Sequence, residues 1–247
     1  MDLERRTALV TGGTTGLGAV ITEKLSTAGV RVFATYLGDP APAREFCASL
    51  PASGSRCSPL PLDLQDESAV GALVEQVTGE GPLDILVNNA AWNAAVPFGD
   101  LDALLPEIWD RIYATNVRGP FLLSRAAAPT LRAAGGRIVN IASIGGLVPQ
   151  GSSIAYATAK AALIHLTRCL AVSLAPEVAV NAVAPGLIEG TAIAANLPPT
   201  HVEGYRHRAL LGRAATREDI ADAVLAFCRT ESVTGQVLPV DGGIFAV

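Results

Sequence analysis

The chain has 247 residues, and half of them are hydrophobic, which is enough apolar material to bury a sizeable core. Its formal net charge is −5 and no block of lysine and arginine occurs, so the composition excludes the basic surface that nucleic-acid binding requires. No apolar run reaches the ~18 uninterrupted residues of a membrane helix, and the run at 8–10 is too short for the core of a signal peptide. We therefore expect a soluble, cytoplasmic protein with neither nucleic acid nor membrane as a partner.

Strand and helix patterns alternate from one end of the chain to the other. Short β-branched and apolar runs predict strands at 7–10, 30–35, 57–62, 83–87, 137–141, 178–183 and 236–240. Segments of helical period predict helices at 17–28, 42–50, 66–78, 106–134, 154–175 and 217–230, the last with Thr216 as its N-cap. Such alternation is typical of stacked βαβ units. The sequence therefore predicts an α/β fold of the Rossmann type, a doubly wound parallel sheet of seven strands with helices on both faces, as a single domain over 1–247.

The segment 187–212 interrupts this alternation, because it combines two prolines, mixed charge and no clean period. A long irregular segment in a compact domain is usually functional, so we expect a substrate lid here. Its basic cluster at 205–208, with Arg213, is either a site for an anionic substrate or a solvated surface.

Neither the cysteines nor the histidines have the spacing of a metal site. No CxxC pair occurs, so we expect reduced, structural thiols and no bound metal. These residues are Cys47, Cys57, Cys169, Cys228, His165, His201 and His207.

A glycine-rich turn, TGGTTGLG at 11–18, joins the first predicted strand to the first predicted helix. Glycines at 12, 16 and 18 let the chain turn tightly, bring backbone N–H groups close to a pyrophosphate and leave a helix N-terminus facing that anion. The spacing is GxxxGxG rather than GxGxxG, so the turn alone is also compatible with an ordinary βα connection. Asp63, Asn88 and Asn89 follow later strands at the same edge of the sheet, where they favour a long ligand, although each also suits a turn.

Tyr156 and Lys160 lie four residues apart in a predicted helix and therefore share one face. At ~5 Å and an effective dielectric of ~20, a lysine ammonium stabilises a phenolate by ~3 kcal/mol, enough to lower the pKa of a tyrosine well below its usual ~10. The alternative is a half-buried tyrosine with a backbone partner, beside a lysine whose stem is buried and whose amine reaches solvent.

Together these motifs resemble the short-chain dehydrogenase/reductase family in its single-domain form. They occur in the order TGGTTGLG at 11–18, NNAA at 88–91, Asn116 in IYATNVRG, Ser143 in IVNIASIGG, YATAK at 156–160, PG at 185–186 and VTGQVLPVDGG at 233–243. The resemblance covers nearly the whole chain. It implies an enzyme that transfers a hydride between NAD(P)(H) and a carbonyl or alcohol substrate.

The resemblance also implies a catalytic tetrad of Asn116, Ser143, Tyr156 and Lys160. Tyr156 would exchange a proton with the substrate oxygen, and Ser143 would hydrogen-bond that oxygen. Lys160 would lower the tyrosine pKa and hold the nicotinamide ribose, while Asn116 would support a water that relays protons. The implied cofactor contacts, besides Tyr156 and Lys160, are Gly12, Thr15, Gly16, Leu17, Gly18, Tyr36, Asp63, Leu64, Asn89, Ala90, Pro185, Gly186, Ile188 and Thr191.

Two positions depart from the family pattern. The motif at 88–91 usually ends in glycine and here ends in Ala91, followed by Trp92, whose bulk we expect beside the nicotinamide and the substrate cavity. The threonine expected a few residues after PG is Thr191, one position later than the family pattern suggests.

The end of the second strand bears on the choice of cofactor. It carries Tyr36 where NAD-specific relatives have an acidic residue that binds the ribose 2′-hydroxyl. Thr15 and Leu37 stand where NADP-preferring relatives often have a basic residue. Because a 2′-phosphate is not repelled, we favour NADP(H), with NAD(H) as the alternative.

The substrate is expected to be a small diffusible ketone. Related carrier-protein ketoacyl reductases dock an acidic partner with basic residues, but 133–136 and 176–177 hold none. The alternatives are a 3-oxoacyl-carrier-protein reductase, a nucleotide-binding regulator without catalysis, or another Rossmann enzyme such as a methyltransferase. By resemblance we expect a homotetramer or homodimer that uses the helices at 106–134 and 154–175 and the last strand.

Overall fold

The computed structural model describes residues 1–51, 56–188 and 199–246. Within them, seven strands form one sheet in the order β3-β2-β1-β4-β5-β6-β7, and every neighbouring pair is parallel. The strands are β1 Thr7–Val10, β2 Arg31–Tyr36, β3 Cys57–Pro61, β4 Ile85–Asn88, β5 Arg137–Ile141, β6 Ala179–Pro185 and β7 Val237–Val240. The predicted fold class, a parallel seven-stranded sheet of the Rossmann type, is confirmed.

Helices connect the strands and cover both faces of the sheet. They are α1 Gly16–Thr27, α2 Pro40–Ser49, α3 Glu67–Gly79, α4 Pro106–Tyr113, α5 Gly119–Ala134, α6 Ile154–Leu174, α7 Pro199–Arg208 and α8 Arg217–Arg229. The predicted N-cap Thr216 is confirmed: its hydroxyl accepts from the amide of Asp219, whose carboxylate in turn accepts from the amide of Thr216. This reciprocal pair starts α8 at a defined residue.

Alternate residues of the central strands supply two separate cores. On one face, Ala8 and Val10 of β1 join α1 and α8. On the other face, Leu9 joins a core formed with α3, α5 and α6. Because helices cover both faces, these strands are apolar throughout instead of alternating with polar residues.

The segment predicted as one helix at 106–134 contains a π-helical turn, Ala114–Arg118, between α4 and α5. Asn116 lies in this turn, and its side chain makes two hydrogen bonds with the backbone of Trp92. It accepts one from the Trp92 amide and donates one to the Trp92 carbonyl oxygen. A Cβ on Gly119 would lie 2.9 Å from the Cβ of Leu64, so α5 begins in close contact with the loop after β3. The uniform α-helix predicted from periodicity is therefore wrong at these five residues.

The segment expected to be an irregular lid at 187–212 contains helix α7, which the sequence period did not indicate. Leu187 and Ile188 precede it, and Ile188 makes a parallel bridge with Ala215. Residues 189–198, including Thr191, lie outside the described residues.

Two of the four cysteines form a disulfide, which corrects the expectation of four reduced thiols. Cys47 in α2 and Cys57 at the start of β3 are bonded, with their Cα atoms 5.2 Å apart. The connection from α2 to β3 brings them together, although ten residues separate them in sequence. Cys169 and Cys228 are free thiols.

Helix α6 is long and apolar enough, by length and composition alone, to cross a membrane. Half of that stretch is buried within the fold, and Lys160 in it is only 3% exposed. A helix in a protein core meets the same criterion, and α6 packs in this way on β6 and on the turn after β5.

Candidate active site

The carboxyl ends of β1 to β4 open onto one groove, which we call the strand-end cleft. It brings together five of the predicted cofactor contacts with residues that were not predicted. Its lining residues are Gly12, Thr35, Tyr36, Leu37, Leu62, Asp63, Leu64, Gln65, Ala90, Ala91, Trp92, Arg111 and Thr115. Such a crevice is where open parallel sheets bind their ligands.

The glycine-rich turn forms one end of the cleft and suits a pyrophosphate. Gly12 and Gly16 have φ of +58° and +55°, in the left-handed region that favours glycine. A Cβ on Gly16 would meet nothing within 4 Å, so that side of the turn is open. A Cβ on Gly18 would lie 2.0 Å from the carbonyl oxygen of Gly12, so α1 begins directly on the turn. The first-turn N–H groups of α1, after its exposed N-cap Thr15, face the open side.

Asn89 fastens this turn to the end of β4. Its side-chain amide donates to the carbonyl oxygens of Thr11 and Gly12, at 2.9 and 3.3 Å. The hydroxyl of Thr11 accepts from the amides of Asn89 and Ala90, both at 2.9 Å. Thr11 was missed in the sequence, where its position just before the first glycine was the available signal. The predicted contact Asn89 thus lies beside the cleft as a support for its glycine turn.

The side chains of Asn88 and Asp63 are also hydrogen-bonded to other protein groups. The amide of Asn88 donates to the side-chain oxygen of Asn140 at 2.8 Å, beneath the sheet edge. The carboxylate of Asp63 accepts from the amide of Gln65 at 2.9 Å and also lines the cleft. Asn88 therefore serves the buried core, whereas Asp63 remains accessible to a ligand.

Ser143 and Tyr156 come together at the next strand end. Ser143 follows β5 and caps a short 3-10 turn, Ile144–Gly146, by accepting from the amide of Gly145 at 3.1 Å. Ser153 caps α6 by accepting from the amide of Tyr156 at 3.1 Å, which fixes the tyrosine in the first helical turn. The side chain of Ser143 lies close enough to that of Tyr156 to lower the tyrosine pKa.

The 3-10 turn approaches α6 through a glycine. A Cβ on Gly146 would lie 2.6 Å from the backbone carbonyl carbon of Lys160. Any side chain at this position would separate the turn from α6 and move Ser143 away from Tyr156. The sequence motif around the serine therefore contains a packing requirement that residue spacing alone does not reveal.

Lys160 lies behind the tyrosine, and its amine is buried. Its Nζ donates to the carbonyl oxygen of Ile141 at 2.8 Å and lies 5.6 Å from the ring centre of Tyr156. Burial lowers the pKa of Lys160 to about 8. The removal of solvent also raises the pKa of Tyr156, and the nearby hydroxyl of Ser143 only partly opposes the rise. The fold alone therefore does not lower the tyrosine pKa, and the expected effect of Lys160 on that pKa stays a prediction for the enzyme with its cofactor.

Asn116 contributes by supporting the backbone next to the cleft. Its side-chain oxygen accepts from the amide of Trp92 at 2.8 Å, and its amide donates to the Trp92 carbonyl at 2.9 Å. The residue is 1% exposed. Both polar atoms of its side chain are thus occupied by the loop that follows β4.

Trp92 is held next to the cleft by contacts with Asn116 and Arg111. Its ring lines the strand-end cleft together with Tyr36 and lies under the guanidinium of Arg111, at 4.2 Å from the ring centre. The indole is packed toward α4 because Asn116 fixes its backbone and Arg111 covers its face. The expectation that Trp92 narrows the substrate cavity stays a prediction. Arg111 was missed, because nothing in the sequence distinguishes it from other surface arginines of a helix.

The remaining predicted residues divide into two groups. Pro185, Gly186 and Ile188 follow the end of β6, next to α7 and the turn after β7. Arg213, a candidate for an anionic substrate, instead pairs with Asp219 at 2.7 Å in the cap of α8. Within the described ranges, no group of three or more His, Cys, Asp or Glu residues could hold a metal ion.

Comparison with known proteins agrees with this fold. The family profile described as Enoyl-(Acyl carrier protein) reductase matches residues 12–245. The chain is 39% identical to the protein of Streptomyces violaceoruber named as ketoacyl reductase 2 of the granaticin polyketide synthase, over 97% of this chain and 96% of that protein. It is 38% identical to the cis-4-hydroxycyclohexanecarboxylate dehydrogenase of Sinomonas cyclohexanicum, over 98% of this chain and 97% of that protein.

A solved structure described as an NAD(P)-dependent gluconate 5-dehydrogenase of Beutenbergia cavernae, with NADP bound at low occupancy, has a TM-score of 0.90 and 31% identity. The match covers all of this chain and 99% of that one. The sheet order, the glycine turn and these matches define an NAD(P)-linked oxidoreductase of the Rossmann type. The chain belongs to the short-chain dehydrogenase/reductase family and is an enzyme that acts on CH–OH or keto groups with NAD(P)(H).

Proposed function

We propose that the protein is an NADPH-dependent ketoreductase for a small diffusible ketone, with Asn116, Ser143, Tyr156 and Lys160 as its catalytic tetrad. The observation that carries this proposal is the placement of Ser143 at the end of β5 beside Tyr156 in the first turn of α6, with the buried amine of Lys160 at 5.6 Å from the tyrosine ring centre. This pair follows β5, on the same edge of the sheet as the glycine turn. A dinucleotide along that edge would place its reactive end near the pair.

The reduction requires one hydride and one proton. Bound NADPH would supply the hydride to the carbonyl carbon from a C–H bond of its nicotinamide ring and would leave as NADP⁺. The hydroxyl of Tyr156 donates its proton to the carbonyl oxygen, and Ser143 donates a hydrogen bond to that oxygen as its negative charge develops. A tyrosine whose pKa is raised by burial is protonated at neutral pH, as a proton donor must be.

Lys160 is suited to resupply the tyrosine with a proton. With a pKa of about 8, its amine gains and loses protons at pH values near neutrality. In the opposite direction, the oxidation of an alcohol, Tyr156 must accept a proton. The positive charge on Lys160 and the positive end of the α6 dipole both favour the phenolate that accepts it.

The preference for NADPH rests on the charges in the strand-end cleft. Tyr36 and Leu37 end β2 there without an acidic group that would repel a 2′-phosphate. Among the residues that line the cleft, Asp63 is acidic and Arg111 is basic. The solved relative described as an NAD(P)-dependent gluconate dehydrogenase was found with NADP. NADH is the alternative cofactor.

The preference for a diffusible substrate rests on the surface. The positions at 133–136 and 176–177 hold Ala-Ala-Gly-Gly and Pro-Glu, so they lack the basic residues expected to dock an acidic carrier protein. Two of the relatives compared above are described as dehydrogenases of small hydroxy acids. A ketoacyl reductase acting on a carrier-bound chain is the second candidate, favoured by the similarity to the granaticin protein.

A steady-state absorbance assay tests the proposal. Purified protein is mixed with NADPH or NADH and with a panel of ketones, diketones and carrier-bound 3-oxoacyl chains. We expect NADPH to be consumed with a diffusible ketone, and Tyr156→Phe to reduce kcat by roughly 10²–10⁴-fold. Faster turnover of the carrier-bound chain would favour the second candidate, and equal activity in Tyr156→Phe would refute the role of the tyrosine.

We also propose the remaining context of the enzyme. The chain is one Rossmann domain in the cytoplasm, with a substrate lid at about 187–212. It forms a homotetramer or homodimer through α4, α5, α6 and the last strand, β7. Aromatic side chains support the assembly: Trp109 and Tyr113 are stacked at 5.3 Å on α4, and Phe121 of α5 is 40% exposed.

A further inference from the structure

One buried hydroxyl of helix α7 binds the segment that follows β6. Tyr205 is 6% exposed, and its oxygen accepts a hydrogen bond from the amide of Leu187 at 2.8 Å. The same hydroxyl donates to the carbonyl oxygen of Asp241 at 3.5 Å. Tyr205 therefore connects three segments: α7, the end of β6 and the turn after β7.

Gly186 shows how closely the hydroxyl approaches the backbone. A Cβ on Gly186 would lie 1.8 Å from the hydroxyl oxygen of Tyr205 and 2.7 Å from the Cβ of Asp241. Glycine is thus required because the hydroxyl occupies the space of a side chain. The φ of Gly186 lies outside the left-handed region, so its conformation does not by itself demand glycine.

The third segment is itself fixed. The carboxylate of Asp241 accepts from the amides of Gly243 and Phe245, at 2.8 and 2.7 Å. The amide of Leu211, just beyond α7, donates to the carbonyl oxygen of Gly242 at 2.9 Å. The hydroxyl of Tyr205 therefore joins Leu187 to a turn that is also hydrogen-bonded to the chain just beyond α7.

We propose that Tyr205 is a positioning residue that sets the backbone of 186–188 for the nicotinamide half of the cofactor. This inference rests on the proposed cofactor site, in which Pro185, Gly186 and Ile188 contact the cofactor. The adenosine half would lie in the strand-end cleft, whose lining residues do not include Tyr205 or its partners. Loss of the hydroxyl should therefore affect one half of the cofactor and not the other.

The chemistry of the hydroxyl suits this role. Burial raises the pKa of Tyr205, and the nearby carboxylate of Asp241 adds to the rise, whereas the Leu187 amide and Arg208 oppose it. The hydroxyl is therefore neutral at physiological pH and can accept from Leu187 while it donates to Asp241. Phenylalanine would keep the ring and leave the Leu187 amide without this acceptor.

The test compares two ligands on Tyr205→Phe. Binding of NADPH and of 2′-phospho-ADP-ribose, which has the adenosine half without the nicotinamide, is measured by titration calorimetry. We expect the Kd of NADPH to rise about 5- to 20-fold, and that of the fragment to change less than about twofold. We also expect kcat with NADPH to fall, because a misplaced nicotinamide reacts more slowly.

Tyr113→Phe is the matched control, because it removes a tyrosine hydroxyl from α4, where the ring stacks on Trp109. It should leave the binding of both ligands unchanged. Equal weakening of NADPH and the fragment in Tyr205→Phe would mean that the variant disturbs the whole fold, and this would overturn the inference. Unchanged binding and unchanged kcat would overturn it as well.

The wild-type protein separates this inference from the proposed function. If it binds neither NADPH nor NADH, the proposed cofactor site is wrong and the inference falls with it. If it binds and oxidises NADPH while Tyr205→Phe behaves like the wild type, only the role of Tyr205 is refuted.

Discussion

At the scale of single residues, the burial of the Lys160 amine has an electrostatic cost. Its amine is buried with one hydrogen bond, to the carbonyl of Ile141, and its pKa falls from 10.5 to about 8. Below pH 8 the folded protein therefore buries a charge that the unfolded chain leaves in water. This difference between the pKa of Lys160 in the unfolded and folded states lowers the free energy of unfolding by ~3 kcal/mol below pH 8.

The pH dependence of stability follows from this shift. Between pH 8 and about 10.5, the unfolded chain keeps the Lys160 proton that the folded protein has lost, so this group increases stability as the pH rises. Lys160→Met has no such proton. We expect the free energy of unfolding of the wild type, relative to that of the variant, to rise by ~2–3 kcal/mol from pH 7 to pH 10 in urea titrations.

This comparison removes the effect of other titrating groups, because both proteins share them. A difference between the two proteins that stays constant from pH 7 to pH 10 would show that the Lys160 amine is not desolvated in the folded state. The variant should also lose turnover, since Lys160 belongs to the proposed tetrad.

At the scale of elements, two glycines inside helices differ in the space available for a side chain. Gly18 lies in the first turn of α1, where a Cβ would be 2.0 Å from the carbonyl oxygen of Gly12. Gly71 lies inside α3, where a Cβ would meet nothing within 4 Å. Alanine lowers backbone entropy in the unfolded chain and favours helix, so only the available space distinguishes the two sites.

Matched substitutions test this difference. We expect Gly71→Ala to stabilise the protein by up to ~1 kcal/mol. Gly18→Ala should destabilise it by ~1–3 kcal/mol and weaken NADPH binding, because α1 must move away from the glycine turn. Urea unfolding and calorimetric titration measure both effects. Similar stability of the two variants would contradict the close packing of α1 on the turn.

At the scale of the whole molecule, the outer face of α4, α5 and α6 suits association. A groove there is lined by Trp109, Tyr113, Val117, Phe121 and Leu166, together with charged residues of α4. Val172, further along α6, is 82% exposed. Apolar groups concentrated on one face are more typical of an interface than of a solvated surface.

Light scattering on purified protein tests this prediction. The wild type should have the mass of a tetramer or dimer, and Phe121→Glu should shift it toward a smaller species, because a carboxylate would be buried at the contact. Leu37→Glu serves as the control, since Leu37 is 72% exposed and lines the strand-end cleft but not this groove. A monomeric wild type would exclude assembly through this face.

Much of this protein was determined by local sequence pattern. The alternation of apolar runs with helical periods gave the seven strands and the parallel sheet, and Thr216 marked the start of α8. Tyr156 and Lys160 share a helix face because of their four-residue spacing. These features depend on periodicity and on residues close in sequence, so they can be predicted without knowledge of distant contacts.

Other features depend on contacts between residues far apart in sequence, and only the tertiary structure decided them. Asn116, in the π turn, is hydrogen-bonded to the backbone of Trp92, and the guanidinium of Arg111 lies over the Trp92 ring. The pKa of Lys160 reflects the depth at which the fold buries its amine. Tyr205 lies within a basic cluster in the sequence, yet its hydroxyl is packed on Gly186. Local pattern fixes the elements, whereas burial and cross-chain hydrogen bonds, which arise only when those elements pack, fix the chemistry of their side chains.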